Sequence, residues 1–195
     1  MGGCTQLIYK GEKMKRKTFD KIVTVIGAGL TVFLFIITGL VNWGASFASD
    51  SVADQLKQQS ITMPGASQID PKAPADAKAY AAKREGELMS TGKDAQIYAE
   101  YYIGYHLSFD PTYAEASAAA MKATGEDKIA KEATMEKVFR GEMLRGTLLT
   151  AYAFGTLGDL AGIGAIAALL GALLMLVLTI AGAIHLRRTP DSATI

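Results

Sequence analysis

Cysteine and histidine are scarce in this chain of 195 residues, which contains one cysteine, Cys4, and two histidines, His106 and His185. A lone cysteine excludes an internal disulfide framework. The chain also lacks the Cys-x-x-Cys-His motif that attaches haem, and it has no Cys/His cluster of the kind that binds zinc, copper or an iron–sulfur centre. We therefore expect neither a metal site nor a cofactor in this chain.

Charge is missing from two long segments. Residues 161–184, AGIGAIAALLGALLMLVLTIAGAI, contain no charged side chain. At about 1.5 Å of rise per residue, a helix of this length crosses a hydrocarbon core of about 30 Å. Residues 22–41, IVTVIGAGLTVFLFIITGLV, are a second segment of this kind. The sequence therefore predicts two transmembrane helices separated by a long polar stretch.

Recognisable catalytic patterns are also absent. Carboxylate pairs occur at helical spacings that suit solvated helix faces, and no nucleophile elbow accompanies His106. Asp159 is the one charged residue in residues 147–184. We expect it at the outer membrane interface, and a role in an ion pathway is the alternative. The chain is predicted not to be an enzyme.

Basic side chains cluster at the two ends of the chain. They precede the first apolar segment and follow the second, at Lys10, Lys13, Lys15, Arg16, Lys17, Lys21, Arg187 and Arg188. Short basic ends tend to remain in the cytoplasm. We therefore predict a plasma-membrane protein with both termini cytoplasmic and the polar middle extracytoplasmic. The net charge of +1 argues against nucleic-acid binding.

The first apolar segment has a second interpretation. Residues 15–21 resemble the basic region of a signal peptide, and residues 46–48, Ser-Phe-Ala, resemble a small-x-small cleavage site. An apolar core of about 20 residues exceeds the roughly 7–15 of a signal peptide, which favours a retained anchor. The membrane interface is then expected at aromatic and basic residues, namely Trp43, Phe47, Tyr152, Arg187 and Arg188.

The first residues leave two further alternatives. Met14 precedes Lys-Arg-Lys and is a natural second start of translation. Whether residues 1–13 belong to the native protein is therefore left open. Cys4 follows two glycines, but no apolar stretch precedes it, and Gly2 lacks Ser or Thr at the usual myristoylation position. Lipid modification is therefore not expected.

The polar middle shows no strand pattern and favours helices. Their predicted starts are Ser49 or Asp50, Ala75, Asp94, Asp110-Pro111 and Glu126, and Gly155 and Gly158 offer a bend before the second span. The predicted fold class is all-α, with two antiparallel transmembrane helices and a small helical extracytoplasmic domain inserted between them. The organisation is a basic cytoplasmic segment 1–21, transmembrane helix 22–47, extracytoplasmic domain 48–146, interfacial approach 147–160, transmembrane helix 161–186 and cytoplasmic tail 187–195.

Two sets of residues are candidates for contacts with other helices or proteins. Small residues let helices approach closely in lipid, and the candidates are Gly27, Gly29, Gly158, Gly162, Ala167 and Gly171. In the densest aromatic run, Tyr98, Tyr101 or Tyr102, Tyr105 and Phe109 share one helical face. That face is either part of a domain core or a docking surface, because tyrosine is enriched at interfaces.

Three stretches together carry a resemblance. They are RKTFD at 16–20, WGASFASD at 43–50 and RGEMLRGTLLTAYAFGT at 140–156. They resemble a family of small two-span actinobacterial membrane proteins with an extracytoplasmic helical insert, over about residues 14–188. The resemblance implies an accessory subunit of the respiratory supercomplex that joins menaquinol–cytochrome c reductase to cytochrome c oxidase.

The function implied by this resemblance is structural. The partners would be integral-membrane subunits of that complex, in which haem and copper lie, and a bound lipid is compatible with the fold. The residues also leave open a stand-alone envelope binding or sensor protein. A membrane enzyme or ion carrier that uses Asp159 or His106 is the remaining alternative.

Overall fold

The computed structural model describes residues 15–190 and 192–193. The alternatives for Cys4 and Met14 lie outside these residues. Helix makes up 80% of the chain and no strand occurs among the described residues, which confirms the predicted all-helical class. Thr62 and Leu88 form an isolated antiparallel bridge. In chain order the helices are α1 (Arg16–Gln58), α2 (Ala75–Arg84), α3 (Gly92–Ile97), a π-helical segment (Tyr98–Ile103), α4 (Gly104–Leu107), α5 (Tyr113–Lys122) and α6 (Gly125–Arg188).

The chain divides into two compact units. The polar unit is Asn42–Gly162, and the apolar unit combines Met1–Val41 with Ile163–Ile195. The sequence analysis places the insert at 48–146 and an interfacial approach at 147–160. In the structure, the polar unit includes that approach together with the last residues of the first predicted span.

α1 is longer than the sequence analysis predicts. A separate helix is predicted from Ser49 or Asp50, but α1 continues without interruption to Gln58, so that prediction is wrong. The physical reason is that Val52 and Leu56 lie on one helical face and are 6% and 2% exposed, so their burial extends the helix. The candidate cleavage site at residues 46–48 lies inside this helix.

α6 is the longest helix, with 64 residues. The predicted approach segment 147–160 lies within it. Gly155 and Gly158 lie within α6, and neither interrupts the helix. A glycine costs an exposed helix about 1 kcal/mol relative to alanine. That cost is too small to end a helix in which most residues favour helical structure.

In the polar unit, α3 and α5 each begin after a threonine cap. α5 begins at Tyr113 rather than at Asp110-Pro111, because Thr112 and Glu115 form a reciprocal capping box. Asp110 instead pairs with Lys137 of α6 at 2.7 Å. α3 similarly begins after Thr91, which forms a capping box with Asp94 three residues later. The predicted starts at Asp110 and Asp94 are corrected accordingly.

The core of the polar unit draws on the ends of both long helices and on the segment between them. Leu56 of α1 and Leu148 of α6 are 2% and 1% exposed. The buried residues of the core cluster are Val52, Leu56, Met63, Ile69, Ala73, Ala77, Ala81, Met89, Ala95, Ile97, Ala99, Ile103 and Leu148. Alanine is frequent among them, so the short helices approach their neighbours closely.

Candidate functional site

α1 and α6 are long and apolar enough to span a membrane. Their most apolar windows have mean hydropathies of 2.3 and 2.7, and only 6% and 11% of these windows are buried within the protein. A core helix of a water-soluble protein would bury most of such a window. The prediction of two helices long and apolar enough to span a membrane is confirmed.

Small and hydroxyl-bearing residues line the contact between α1 and α6 in the apolar unit. A Cβ built on Gly27 would lie 2.9 Å from Thr179 Oγ1, and one on Gly182 would lie 3.2 Å from Thr24 Oγ1. We call the contact formed by Thr24, Gly27, Thr31, Thr179 and Gly182 the helix seam. It allows the two backbones to approach closely without a large side chain between them.

A hydroxyl pair lies in the helix seam. Thr31 is 5% exposed, and its hydroxyl donates to the Gly27 carbonyl at 2.8 Å. Its oxygen also lies 3.4 Å from Thr179 Oγ1. Because the Thr31 proton is already used, the Thr179 hydroxyl is the donor between the two side chains.

The predicted packing residues have different surroundings in the structure. Gly27 lies in the helix seam. Gly158, in the polar unit, approaches α1 so closely that a Cβ would lie 3.3 Å from the Ala45 carbonyl oxygen. Apart from the neighbouring backbone of its own helix, no described residue has an atom within 4 Å of a Cβ built on Gly29, Gly162 or Gly171. Ala167 is exposed.

Two buried alanines of α6 are not among the sequence candidates. Ala165 and Ala172 are 4% and 0% exposed. With Gly158 and Thr179 they recur every seventh residue along the sequence. A seven-residue repeat keeps one narrow face of a helix against a neighbour. The sequence candidates in α6 follow a four-residue spacing of small residues. The seven-residue repeat is the signal that would have identified Ala165 and Ala172.

The aromatic run forms a chain of ring contacts. Ring centroids lie 4.8 Å apart for Tyr98 and Tyr102, 4.4 Å for Tyr102 and His106, and 4.9 Å for Tyr105 and Phe109. Tyr98, Tyr101 and Tyr102 pack against the core cluster of the polar unit. Burial raises the pKa of the Tyr98 hydroxyl, and the nearby Tyr102 adds to the shift.

The far end of this aromatic run is exposed. Phe109 is 71% exposed. Tyr113 and Phe139, which are 45% and 44% exposed, contact each other at a ring distance of 5.8 Å. We call Phe109, Tyr113 and Phe139 the aromatic tip. The run therefore has a half-buried beginning and an exposed end, so its residues do not share one environment.

His106 takes part in a local contact. Its Nδ1 lies 2.7 Å from the Tyr102 carbonyl oxygen, which can only accept, so Nδ1 carries the proton in this bond. Among the described residues, no group of three or more His, Cys, Asp or Glu side chains is placed to hold a metal ion.

The most buried charge of the polar unit is Asp94, which is fully buried. Arg84 donates to both of its oxygens, from Nε at 3.1 Å and from Nη2 at 2.8 Å. The Tyr80 hydroxyl donates to Oδ1 at 3.0 Å. The backbone N–H groups of Ser90 and Thr91 donate to Oδ2 at 2.9 and 3.0 Å. Both carboxylate oxygens are thus saturated, which makes the cluster a structural clamp.

The pKa values in this clamp follow from its contacts. Burial acts to raise the pKa of Asp94, but hydrogen bonds from Arg84, Ser90, Tyr80 and Thr91 outweigh it and bring the pKa below its ordinary value. The bond to Asp94 raises the pKa of Arg84. This role was not predicted from the sequence, although threonine followed three residues later by an acid is a capping signal.

A polar cleft borders the clamp. It has a volume of about 360 Å³, and its lining includes Tyr80, Thr91, Lys93 and Asp159. Asp159 is exposed here, as is Lys93. Of the predicted membrane-interface residues, Trp43 and Phe47 are 68% and 62% exposed. Tyr152 is half-buried, and Arg187 and Arg188 are exposed in the last turn of α6.

Comparison with known protein families, with curated proteins and with solved structures finds no match for this chain. The function is therefore inferred from the chain's own residues and geometry.

Proposed function

We propose that this chain is a membrane-anchored, non-catalytic accessory subunit that braces a larger membrane assembly. The observation that carries the proposal is the aromatic tip: Phe109, Tyr113 and Phe139 are 71%, 45% and 44% exposed, although the polar unit has a buried apolar core of its own. Exposed apolar patches rimmed by polar residues mark interaction sites, and Tyr and Phe are enriched there. The tip is proposed to dock on a partner subunit.

The proposed assembly is the respiratory supercomplex of menaquinol–cytochrome c reductase and cytochrome c oxidase. Its support is the sequence resemblance and the chain mass of 20.7 kDa, which suits the twenty-kilodalton accessory subunit of that assembly. In this proposal haem and copper belong to the partner subunits, and this chain carries no electrons.

The proposed topology has two antiparallel spans, both termini in the cytoplasm and the polar unit outside. Contacts within the apolar unit support the antiparallel arrangement. Thr24 lies near Gly182, whereas Gly27, further along α1, lies near Thr179, which is earlier in α6. Asp20 also meets the end of α6, where Thr189 donates to its Oδ2 at 3.2 Å. The basic ends support the cytoplasmic placement.

Gentle detergent extraction followed by native electrophoresis tests the assignment. An affinity-tagged chain is expected to migrate far above 20.7 kDa and to carry the absorption bands of the partner cytochromes. Affinity purification of the oxidase should recover the chain in near-stoichiometric amount. A colourless species of monomer size, together with an oxidase preparation that lacks the chain, would contradict the proposal.

A stand-alone envelope binding or sensor protein is the second candidate. The polar cleft favours it, because Lys93 and Asp159 present opposite charges beside a cavity of about 360 Å³, within the roughly 300–1,000 Å³ of small-molecule sites. This function predicts a monomer whose polar unit is stabilised by a soluble wall component. The electrophoresis experiment above separates the two candidates.

A further inference from the structure

A second cavity of the polar unit differs from the polar cleft in its chemistry. It is a groove of about 470 Å³ between residues 47–59, at the end of α1 and directly after it, and residues 147–154 of α6. Its apolar side includes Val52, Leu56 and Leu148, which are 6%, 2% and 1% exposed. None of its lining residues is charged. We call it the neutral groove.

One end of the neutral groove lies at exposed aromatic residues. Phe47 and Phe154 belong to its lining and are 62% and 56% exposed. Trp43, which is 68% exposed, stacks on Phe47 at a ring distance of 5.9 Å. Leu157, one turn along α6 from Phe154, is 60% exposed. Aromatic side chains of this kind favour the boundary between lipid and water, so the groove begins where lipid chains are available.

The other end carries neutral hydrogen-bonding groups. Gln55 and Gln59 line the groove from exposed positions, and their carboxamides form no hydrogen bond with any described residue. The hydroxyls of Thr147 and Thr150 donate to carbonyl groups of α6 at 2.9 and 3.0 Å, so their oxygens remain free to accept. These groups suit an ester or hydroxyl. A phosphate or carboxylate would find no counter-charge in the lining.

The volume favours a flexible chain over a protein helix. A helix about 10–12 Å across occupies on the order of 400 Å³ per turn, so the groove would hold little more than one turn of a partner. A single hydrocarbon chain with a small polar end needs much less width. It would also contact the buried apolar side along its whole length.

We propose that the neutral groove binds the acyl chain of an uncharged membrane lipid, of the diacylglycerol class, with its ester or hydroxyl groups held by Gln55 and Gln59. The bound lipid fills the space between α1 and α6 in the polar unit. This inference does not depend on the proposed accessory function, because the site lies entirely within one unit of this chain.

Photolabelling of the full chain reconstituted in phosphatidylcholine vesicles tests the inference. The probe is a diacylglycerol with a diazirine in one acyl chain. We expect label on peptides covering 47–59 and 147–154, and its displacement by unlabelled diacylglycerol. Thr150→Trp, which fills the groove from an exposed position, should reduce this label about tenfold. Ala153→Trp, also exposed on α6 but outside the lining, is the matched control and should leave it unchanged.

Several results would overturn the inference. One is label restricted to residues 22–41 and 163–184, and another is equal groove label in Thr150→Trp and Ala153→Trp. Stronger labelling by a phosphatidylglycerol probe of the same chain would refute the neutral-lipid assignment. If Thr150→Trp alters the circular dichroism spectrum, Ser51→Trp replaces it, because Ser51 lines the groove from α1. Capture of a protein segment by a cross-linker at Gln55→Cys, without lipid label, would also refute it.

Discussion

Gly155 of α6 and Gly92 at the start of α3 meet backbone to backbone. A Cβ built on Gly155 would lie 2.9 Å from the Gly92 Cα, and one on Gly92 would lie 3.1 Å from the Gly155 Cα. Neither backbone can yield as a flexible side chain would. The contact fixes the start of α3 against α6, directly before the carboxylate clamp at Asp94.

Gly155→Ala is therefore expected to destabilise the polar unit by about 2 kcal/mol, the usual cost of overpacking. Thermal unfolding in detergent, followed by circular dichroism, measures the change. The matched control is Gly146→Ala, also in α6, where no described residue outside the neighbouring backbone of α6 has an atom within 4 Å of the new Cβ. That variant should gain about 0.5–1 kcal/mol from helix propensity. Equal changes in both variants would contradict the close contact.

Asp94→Asn removes the charge from the clamp while preserving its shape. Arg84 loses its buried partner, and the amide cannot accept at both positions as the carboxylate does. We expect a loss of about 3 kcal/mol in the free energy of unfolding, typical of breaking a buried ion pair from one side. Asp54→Asn, at an exposed position of α1, is the control and should change stability by less than about 0.5 kcal/mol. If Asp94→Asn left the free energy of unfolding unchanged, the clamp would be refuted.

Stability should also depend on pH through Asp94. Its pKa lies below the ordinary carboxyl value because Arg84 and three further donors hold the charged form. The stabilisation is fully present above the unfolded pKa of about 3.9 and is lost as pH falls through the lower folded value. The midpoint of thermal unfolding should therefore drop below about pH 4 in the native chain.

In Asp94→Asn, most of this decrease in the midpoint of thermal unfolding at acid pH should disappear. A smaller slope should remain, because hydrogen bonds from the Thr112 side chain and backbone lower the pKa of Glu115. The same melting experiment, repeated across the acid range for both chains, gives the comparison. Parallel pH profiles would show that Asp94 does not contribute to the acid sensitivity.

The helix seam is testable by cysteine cross-linking in a Cys4→Ser background. Thr24→Cys with Gly182→Cys should form an intramolecular disulfide, because a Cβ at 182 lies 3.2 Å from Thr24 Oγ1. Gly29→Cys with Gly182→Cys is the control, since Gly29 faces open space. Adding Gly27→Leu should lower the yield by pushing Thr179 away. Equal cross-linking of both pairs would argue against the seam.

The contribution of the aromatic tip to partner binding can be tested independently of the rest of the surface. Phe109→Ser combined with Phe139→Ser should weaken association with the partner assembly, seen as loss of the chain from the high-mass band on native gels. Met121→Ser removes an equally exposed apolar side chain, 79% exposed, and should leave the band intact. Unchanged melting of the double variant shows that it folds. Retention of the double variant in the band would exclude the tip as the docking surface.

Local composition was sufficient to predict some features. An uncharged run of apolar residues at 161–184 can satisfy its backbone in lipid only as a helix, whatever surrounds it. The same holds for 22–41, and both lie inside long helices in the structure. The all-helical class of the polar unit followed from its composition as well. These features depend on residues close together in the sequence.

Contacts between distant residues required the tertiary structure. Gly27 and Gly29 are nearly equivalent in the sequence, yet only Gly27 meets Thr179, because the rotation of α6 selects one face of α1. Asp110 is a good helix cap by its type, but Lys137 of α6 binds it, and Thr112 caps α5 instead. The buried charge of Asp94 is balanced by Arg84, ten residues earlier, which the fold brings onto it. Each outcome is a competition between partners that long-range packing brings together.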